Sequence, residues 1–195
     1  MVETTTSAGG YSLTYLRKVE IVPYDPGWPV RAVELGAHVA TVLGDVLVRM
    51  EHVGSTSVPG LAAKPVIDLM PIVTGVTLVD ALRPEFEAAG YSWYGEFGLP
   101  GRRYINRDDP DTGMRLCNVH MYAEDDPEVV RHLAFPRYLA IRSDLADEYA
   151  AIKRRCAAEN PADVHAYNVC KSDWIRRVEA EASEWWISRE PARYS

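Results

Sequence analysis

The chain has 195 residues, 47% hydrophobic and 25% charged, with net charge −7 and a pI near 5.3. That length and balance suit one ordinary globular domain whose core needs no staples. The acidic excess argues against duplex nucleic acid as a partner, since that affinity comes from Lys and Arg neutralising phosphates; a few cations focused into one cleft still suffice for a small nucleotide.

Residues 1–16 read as a polar lead-in, 17–188 as a single α/β (α+β) domain, and 189–195 as a tail. Lys18 to Pro23 is predicted as a short strand. Asp25-Pro26 then reads as a helix N-cap with proline at the first helical position. Trp28, Ala32, Leu35, Val39 and Val42 follow at helical spacing. Leu47 to Val53 is predicted as a strand, and GSTSVPG (54–60) as a tight turn. Lys64 to Val73 carries an apolar run that fits a strand covered on both faces or a buried helix. A helix is expected from Val76 to Ala89, ending at Gly90, with strands near Tyr91–Tyr94, Arg102–Asn106 and Met114–Tyr122. Beyond Asp126 the pattern turns helical, with stripes Leu145, Tyr149, Ile152, Cys156 and then Tyr167, Trp174, Val178, Ala182, Trp185.

Cys117, Cys156 and Cys170 are odd in number and carry no CxxC or zinc spacing. Reduced thiols in a cytoplasmic protein are therefore expected. The first residues lack the apolar segment of a secretory leader, and no apolar run is long enough to span a bilayer, so no membrane partner is expected.

The chemistry concentrates in EHVGSTSVPGLAAKPVIDLMP (51–71). Gly54 lets backbone approach a ligand, Ser55, Thr56 and Ser57 offer hydroxyls, and the turn's N–H groups can form an anion nest. Lys64 adds a point charge suited to phosphate. Asp68 shares its strand face with Val66, Met70 and Ile72, where an unpaired carboxylate is costly, so a metal or cationic partner is expected there. A plain turn with a carboxylate accepting backbone hydrogen bonds is the alternative. Asn118 and His120 share one strand face with Leu116, and His52 shares one with Val48 and Met50. Lys171 sits on an apolar helix stripe, where it snorkels to water or meets an anion. Arg102 and Arg103 suit a phosphate or carboxylate clamp, or a solvated surface pair.

Together HVGSTSVPGLAAKPVID (52–68), PGRRY (100–104), the strand ending at His120, RHLAFPRYL (131–139) and AYNVCKSDW (166–174) resemble the GrpB family of the nucleotidyltransferase superfamily. GrpB domains occur alone and fused to dephospho-CoA kinase. The superfamily pattern is Gly-Ser, about a dozen residues, then a strand Asp; here 12 residues separate Ser55 from Asp68. The resemblance implies a minimal nucleotidyltransferase fold, a mixed sheet flanked by helices with a helical C-terminal segment. It implies nucleotide phosphates at Gly54, Ser55, Thr56, Ser57 and Lys64, and Mg²⁺ on Asp68. It also implies two further carboxylates, but Met70 and the pair Asn118 and His120 stand in their places. The resulting expectation is transfer of a nucleotidyl group from a nucleoside triphosphate, ATP first, to a small-molecule acceptor. Asp68 and His120 would be catalytic, and His52, Arg102, Arg103, Asn118 and Lys171 would contact substrate. Ligation of a carboxylate to an amine with ATP, or a catalytically silent binding module, are the alternatives.

Overall fold

The computed structural model describes residues 19–189; the lead-in at 1–16, the tail from 190 and Lys18 lie outside them. Of the first predicted strand, the described part makes only one bridge, Val22 with Ala63, two backbone hydrogen bonds of 2.9 and 3.0 Å. Helix α1 (Trp28–Leu43) starts later than expected, with Gly27 as N-cap and a proline in the first turn. Asp25 instead accepts from Gly27 N at 2.7 Å and pairs with Arg31, forming a turn of its own ahead of the helix. The buried face of α1 is Trp28, Ala32, Gly36, Val39 and Leu43, with Leu35 and Val42 partly buried beside it.

Strands β1 (Leu47–Val53), β2 (Ile67–Val73), β3 (Tyr91–Gly95), β4 (Arg103–Asp108) and β5 (Arg115–Ala123) form one sheet, ordered β1-β2-β5-β4-β3. Only β2 and β5 run parallel; the other neighbours are antiparallel. Every β2 residue except Asp68 is buried, which resolves that apolar run as a strand covered on both faces. The mixed sheet flanked by helices that the motifs imply is thus present.

The predicted helix from Val76 to Ala89 is two, α2 (Val76–Asp80) and α3 (Arg83–Ala88). Pro84 explains the break: it has no N–H to donate, and its ring would collide with the carbonyl four residues earlier. It therefore sits in the first turn of α3. One sheet face packs Ile67, Leu69 and Val73 against Trp28, Val39, Leu43 and Phe86. On the other, Val53, Met70, Ile72 and Tyr122 meet Val129 and Leu133 of α4 (Pro127–Ile141). Helices α5 (Ser143–Glu159) and α6 (Val164–Arg189) join α4 through Phe135, Leu139, Tyr149 and Val178. No helix among the described residues is long and apolar enough to cross a membrane.

The expectation of three reduced thiols is corrected for two of them. Cys156 on α5 and Cys170 on α6 form a disulfide, leaving Cys117 free and buried. Nothing in a separation of 14 residues marks this pair; the α5–α6 hairpin brings them together. Closing a loop of that size removes unfolded-state entropy worth about 3 kcal/mol in the chain-entropy account. Replacing both cysteines by serine should lower unfolding free energy by about 2–4 kcal/mol in urea titrations, and reductant should do the same to the wild type. An unchanged midpoint would show that the crosslink does not constrain the unfolded chain.

Candidate functional site

Beyond β1 the chain turns at Gly54, φ 71°, into one short 3-10 turn, Ser55–Ser57. A Cβ on Gly54 would stand 2.5 Å from Asp68 Oδ2, so glycine alone lets this backbone lie against that carboxylate. The turn is fixed from within. Ser57 Oγ donates to Gly54 O at 2.7 Å, and the buried Thr56 hydroxyl meets His52 Nε2 at 2.9 Å. Ser55 is reached by the phenol of Tyr149 on α5, which ties the turn to the helical layer.

Asp68, the second residue of β2, lies opposite Val53 of β1 and level with Asn118 of β5. Asn118 Nδ2 donates to Asp68 Oδ1 at 2.8 Å. The amide is held in that sense because its oxygen accepts from Tyr104 Oη at 2.8 Å and Arg115 Nη1 at 2.9 Å. His120 Nε2 lies 3.8 Å from the same carboxylate oxygen. Burial works against ionising Asp68, but His120, Asn118 and Lys64 outweigh it and hold the carboxyl below its ordinary range. Behind His120 stands His132 of α4, its ring 5.6 Å away and its Nδ1 donating to Glu128 O at 2.8 Å. Burial pushes His132 down to about 3, so it stays neutral at working pH. Sequence reasoning missed His132, although it lies inside RHLAFPRYL.

Three lysines lie against two tyrosine rings of the helical layer, Lys153 feeling the charge of Lys171 and Lys171 that of Lys64. Lys64 and Lys171 hold their ammonium groups 5.2 and 5.0 Å from the Tyr167 ring centroid, and Lys153 lies 4.2 Å from that of Tyr149. Lys153 is 2% exposed and its Nζ has no hydrogen-bond partner. Burial, then the charge of Lys171, pushes it down to about 7; burial, then Lys64, pushes Lys171 down to about 8. Lys64 is also lowered, by burial first, with Asp68 acting against the shift. Sequence reasoning also missed Lys153, although it lies one turn beyond Tyr149 on the apolar stripe of α5.

Three residues expected to contact substrate make no hydrogen bond or ion pair with Asp68, although burial first and then the Asp68 charge, opposing it, act on His52. His52 pairs with Leu69 across the sheet, turned from the Asp68 face and bonded to Thr56. Arg102 is buried and donates to the carbonyls of Glu96 and Phe97, and Arg103 makes a two-pronged pair with Asp80.

The donors around Asp68 do not fit a two-ion cluster. Met70, where a second carboxylate would stand, is wholly buried in apolar contacts, and Asn118 presents N–H rather than oxygen to Asp68. Among the described residues, the one trio of His, Cys, Asp or Glu able to share an ion is Cys156, Glu159 and Cys170, two of which are disulfide-bonded. Asp68 by itself could still hold one Mg²⁺ shared with a ligand's oxygens. Gly54→Ala should destabilise the fold by at least about 2 kcal/mol, combining left-handed strain with the collision against Asp68. Urea unfolding measures this, and a neutral result would detach the turn from the carboxylate.

The described geometry has known relatives. The GrpB protein family matches residues 18–181. YqkA, a UPF0157 protein of Bacillus subtilis, is 35% identical over 99% of this chain, which spans only 57% of that protein's length. The crystal structure of the conserved protein GrpB from Enterococcus faecalis superposes with a TM-score of 0.80 at 38% identity, covering 86% of this chain and 99% of that one. The Cid1 poly(U) polymerase with Mg 3′-dATP bound superposes with a TM-score of 0.52 at 12% identity, over 77% of this chain and 49% of Cid1, a likeness of fold alone. The chain therefore belongs to the GrpB family and carries its nucleotidyltransferase-like fold.

Proposed function

We propose that the protein binds a nucleoside triphosphate, ATP first, and transfers its nucleotidyl group to a small acceptor beside Asp68. The observation that carries this reading is the lysine cluster. Three buried or half-buried ammonium groups are coupled in series, Lys153 to Lys171 and Lys171 to Lys64, one of them has no hydrogen-bond partner, and the anions acting on Lys171 are Asp68 and Glu179. Such a cluster is unfavourable alone and becomes favourable around a polyanion. The Gly54–Ser57 turn supplies N–H groups at the near end, so the phosphates run from the turn toward Lys64, Lys171 and Lys153. Held there, a leaving pyrophosphate has its growing charge neutralised by groups already in place.

Asp68 and His120 are the groups placed to take the acceptor's proton, while Asn118, locked by Tyr104 and Arg115, orients the carboxylate. A Mg²⁺ ion carried in with the nucleotide would rest on Asp68 and neutralise phosphate charge when bound. The lysines do much of that task, so dependence on Mg²⁺ should be weaker than in a three-carboxylate enzyme. Nucleoside triphosphates as substrate favour a cytoplasmic site of action, whereas the Cys156–Cys170 disulfide counts against one. The missing carboxylates favour one rival, a silent nucleotide-binding module, and ligation of a carboxylate to an amine would use the same phosphate end.

Asp68→Asn should keep the circular dichroism of the wild type and abolish pyrophosphate release with an acceptor present. Full turnover in the folded variant would take Asp68 out of the mechanism, and no turnover in the wild type with any acceptor would favour the module.

The lysines also set a pH dependence of definite sign. Both Lys153 and Lys171 titrate lower in the folded protein than in the unfolded chain, which therefore binds more protons between about 7 and the ordinary lysine value. Without ligand, stability should rise with pH across that window. Affinity for ATP should fall across it, because the phosphates need the ammonium forms, and binding at pH 8 should take up protons. Lys153→Met should stabilise the ligand-free protein and weaken ATP by about 10-fold or more, the loss of one charge-assisted hydrogen bond. Lys64→Ala should weaken it similarly. Calorimetry at pH 6.5 and 9, with and without Mg²⁺, reads these effects; affinity that rises with pH would exclude the lysines as the phosphate site.

A further inference from the structure

The lysine cluster occupies one end of the site, and the other end is aromatic. Between β3 and β4, Phe97 has φ 44°, the one positive-φ residue other than glycine among those described. A side chain with a Cβ is strained there. Arg102, 7% exposed, holds the strained turn: its Nη2 donates to Phe97 O at 2.7 Å and its Nε to Glu96 O at 3.2 Å. Its guanidinium also lies against the Phe97 and Tyr104 rings, at 6.0 and 5.1 Å. Gly101 N donates to Glu96 Oε1 at 2.9 Å, closing the loop a second time.

The result is a ring held outward rather than packed inward. Phe97 is 43% exposed, yet it stacks on Tyr104 at 5.3 Å with only 14° between the planes. Tyr94, 36% exposed, completes the cluster at 5.3 and 5.6 Å from the other two. Tyr104 then leads inward: its ring lies 5.1 Å from His120, and its hydroxyl donates to the Asn118 amide that holds Asp68. Glycine would fit the Phe97 backbone without strain, and a core phenylalanine would be covered. A strained, exposed ring clamped by a buried arginine suits a ligand-binding surface better than a packing role.

Displacement at phosphorus places this surface in the reaction. The attacking atom and the leaving group lie on opposite sides of the phosphorus. If the lysines hold the pyrophosphate end, the attacker comes from beyond Asp68, on the side of His120 and Tyr104. We propose that Tyr94, Phe97 and Tyr104 form the acceptor subsite, and that the acceptor is a planar, ring-bearing molecule with a free hydroxyl or amine. This rests on the nucleotidyl-transfer reading. The acceptor's lone pair forms the new bond to the α-phosphorus, and its proton passes to the Asp68–His120 pair. The bond from the α-phosphorus to the bridging oxygen breaks, and its electron pair leaves on pyrophosphate.

The test separates the two ends. Inorganic tripolyphosphate probes the lysine end, and its dissociation constant is measured first. The protein is then saturated with α,β-methylene-ATP, whose bridging carbon cannot leave, and titrated with adenosine, with tyramine, and with glycerol as a ringless control. At least one ring-bearing probe should bind more tightly than glycerol, and Phe97→Gly should weaken it at least fivefold. The same variant should change tripolyphosphate affinity by less than twofold. Phe97→Gly relieves the positive φ, so its thermal midpoint should not fall, which keeps the comparison between folded proteins. Ring probes binding no better than glycerol, or unaffected by Phe97→Gly, while tripolyphosphate binds normally, would overturn the acceptor assignment alone. A Phe97→Gly loss seen for ATP itself but not for tripolyphosphate would place the nucleotide's own base on these rings and overturn it equally. Failure of tripolyphosphate to bind would instead remove the phosphate end, and the nucleotidyl-transfer reading with it.

Discussion

The approach of the Gly54 backbone to the Asp68 carboxylate is the contact around which the rest of the site is arranged. A side chain at Gly54 would collide with Oδ2, so β1 and β2 can place the turn beside the carboxylate only through glycine. The parallel pairing of β2 with β5 then sets Asn118 level with Asp68, and alternation along β5 brings His120 to the same face. Antiparallel β4 adds Tyr104 opposite His120 and so completes the support of Asn118. A carboxylate in a buried strand is tolerable because each neighbour offers it a donor or a positive charge rather than another carboxylate.

That arrangement explains why the missing carboxylates and the lysines belong together. Two ions close to one another need several oxygens to hold them. Here the neighbouring positions are the apolar Met70 and the N–H-presenting Asn118, so one oxygen donor faces a ring of donors and cations. On the proposed reading, positive charge for a polyanion would come instead from Lys64, Lys153 and Lys171, carried by β2's approach and by two helices. Covalently fixed ammonium groups differ from ions in one respect that matters: they titrate. A site built on them is tuned by pH and by burial, not by metal supply.

How much of this was legible in the sequence depended on the range of the interaction that makes each feature. Gly54, the serines, Lys64 and Asp68 lie within one strand–turn–strand segment, where spacing alone carries the geometry. Asn118 and His120 were legible through the two-residue period of a strand. For His52, alternation gives a face but not which sheet face a neighbouring strand's Asp shares; the register pairs it with Leu69, while its ring still feels the charge of Asp68. For Arg102 and Arg103 the illegible part was their partners within the fold. A basic pair beside Pro-Gly looks available, but Arg102 holds loop carbonyls and Arg103 is matched by Asp80, which is 23 residues away in sequence. Lys153 was overlooked because charged residues are read as the wet side of a helix. Only the packing of α5 on α6 makes its position an interior one, and the same packing joins Cys156 to Cys170.

The disulfide and the lysines therefore bear on one problem. Lys153 lies one turn before Cys156 on α5, and Lys171 directly follows Cys170 on α6. Without a ligand, like charges on the two helices oppose one another: burial and then the charge of Lys171 lower the proton affinity of Lys153. The crosslink sits at the segment where that repulsion acts, and the stacked rings of Tyr149 and Trp174 join the same helices at 4.8 Å. A cradle preorganised for a polyanion is unstable by itself, since the charges that bind the ligand repel one another until it arrives. Binding it tightly requires that the helices not relax apart beforehand, because any such relaxation must be reversed on binding. Covalent and aromatic contacts between α5 and α6 would supply that rigidity to the proposed phosphate site at the segment where it would otherwise be weakest.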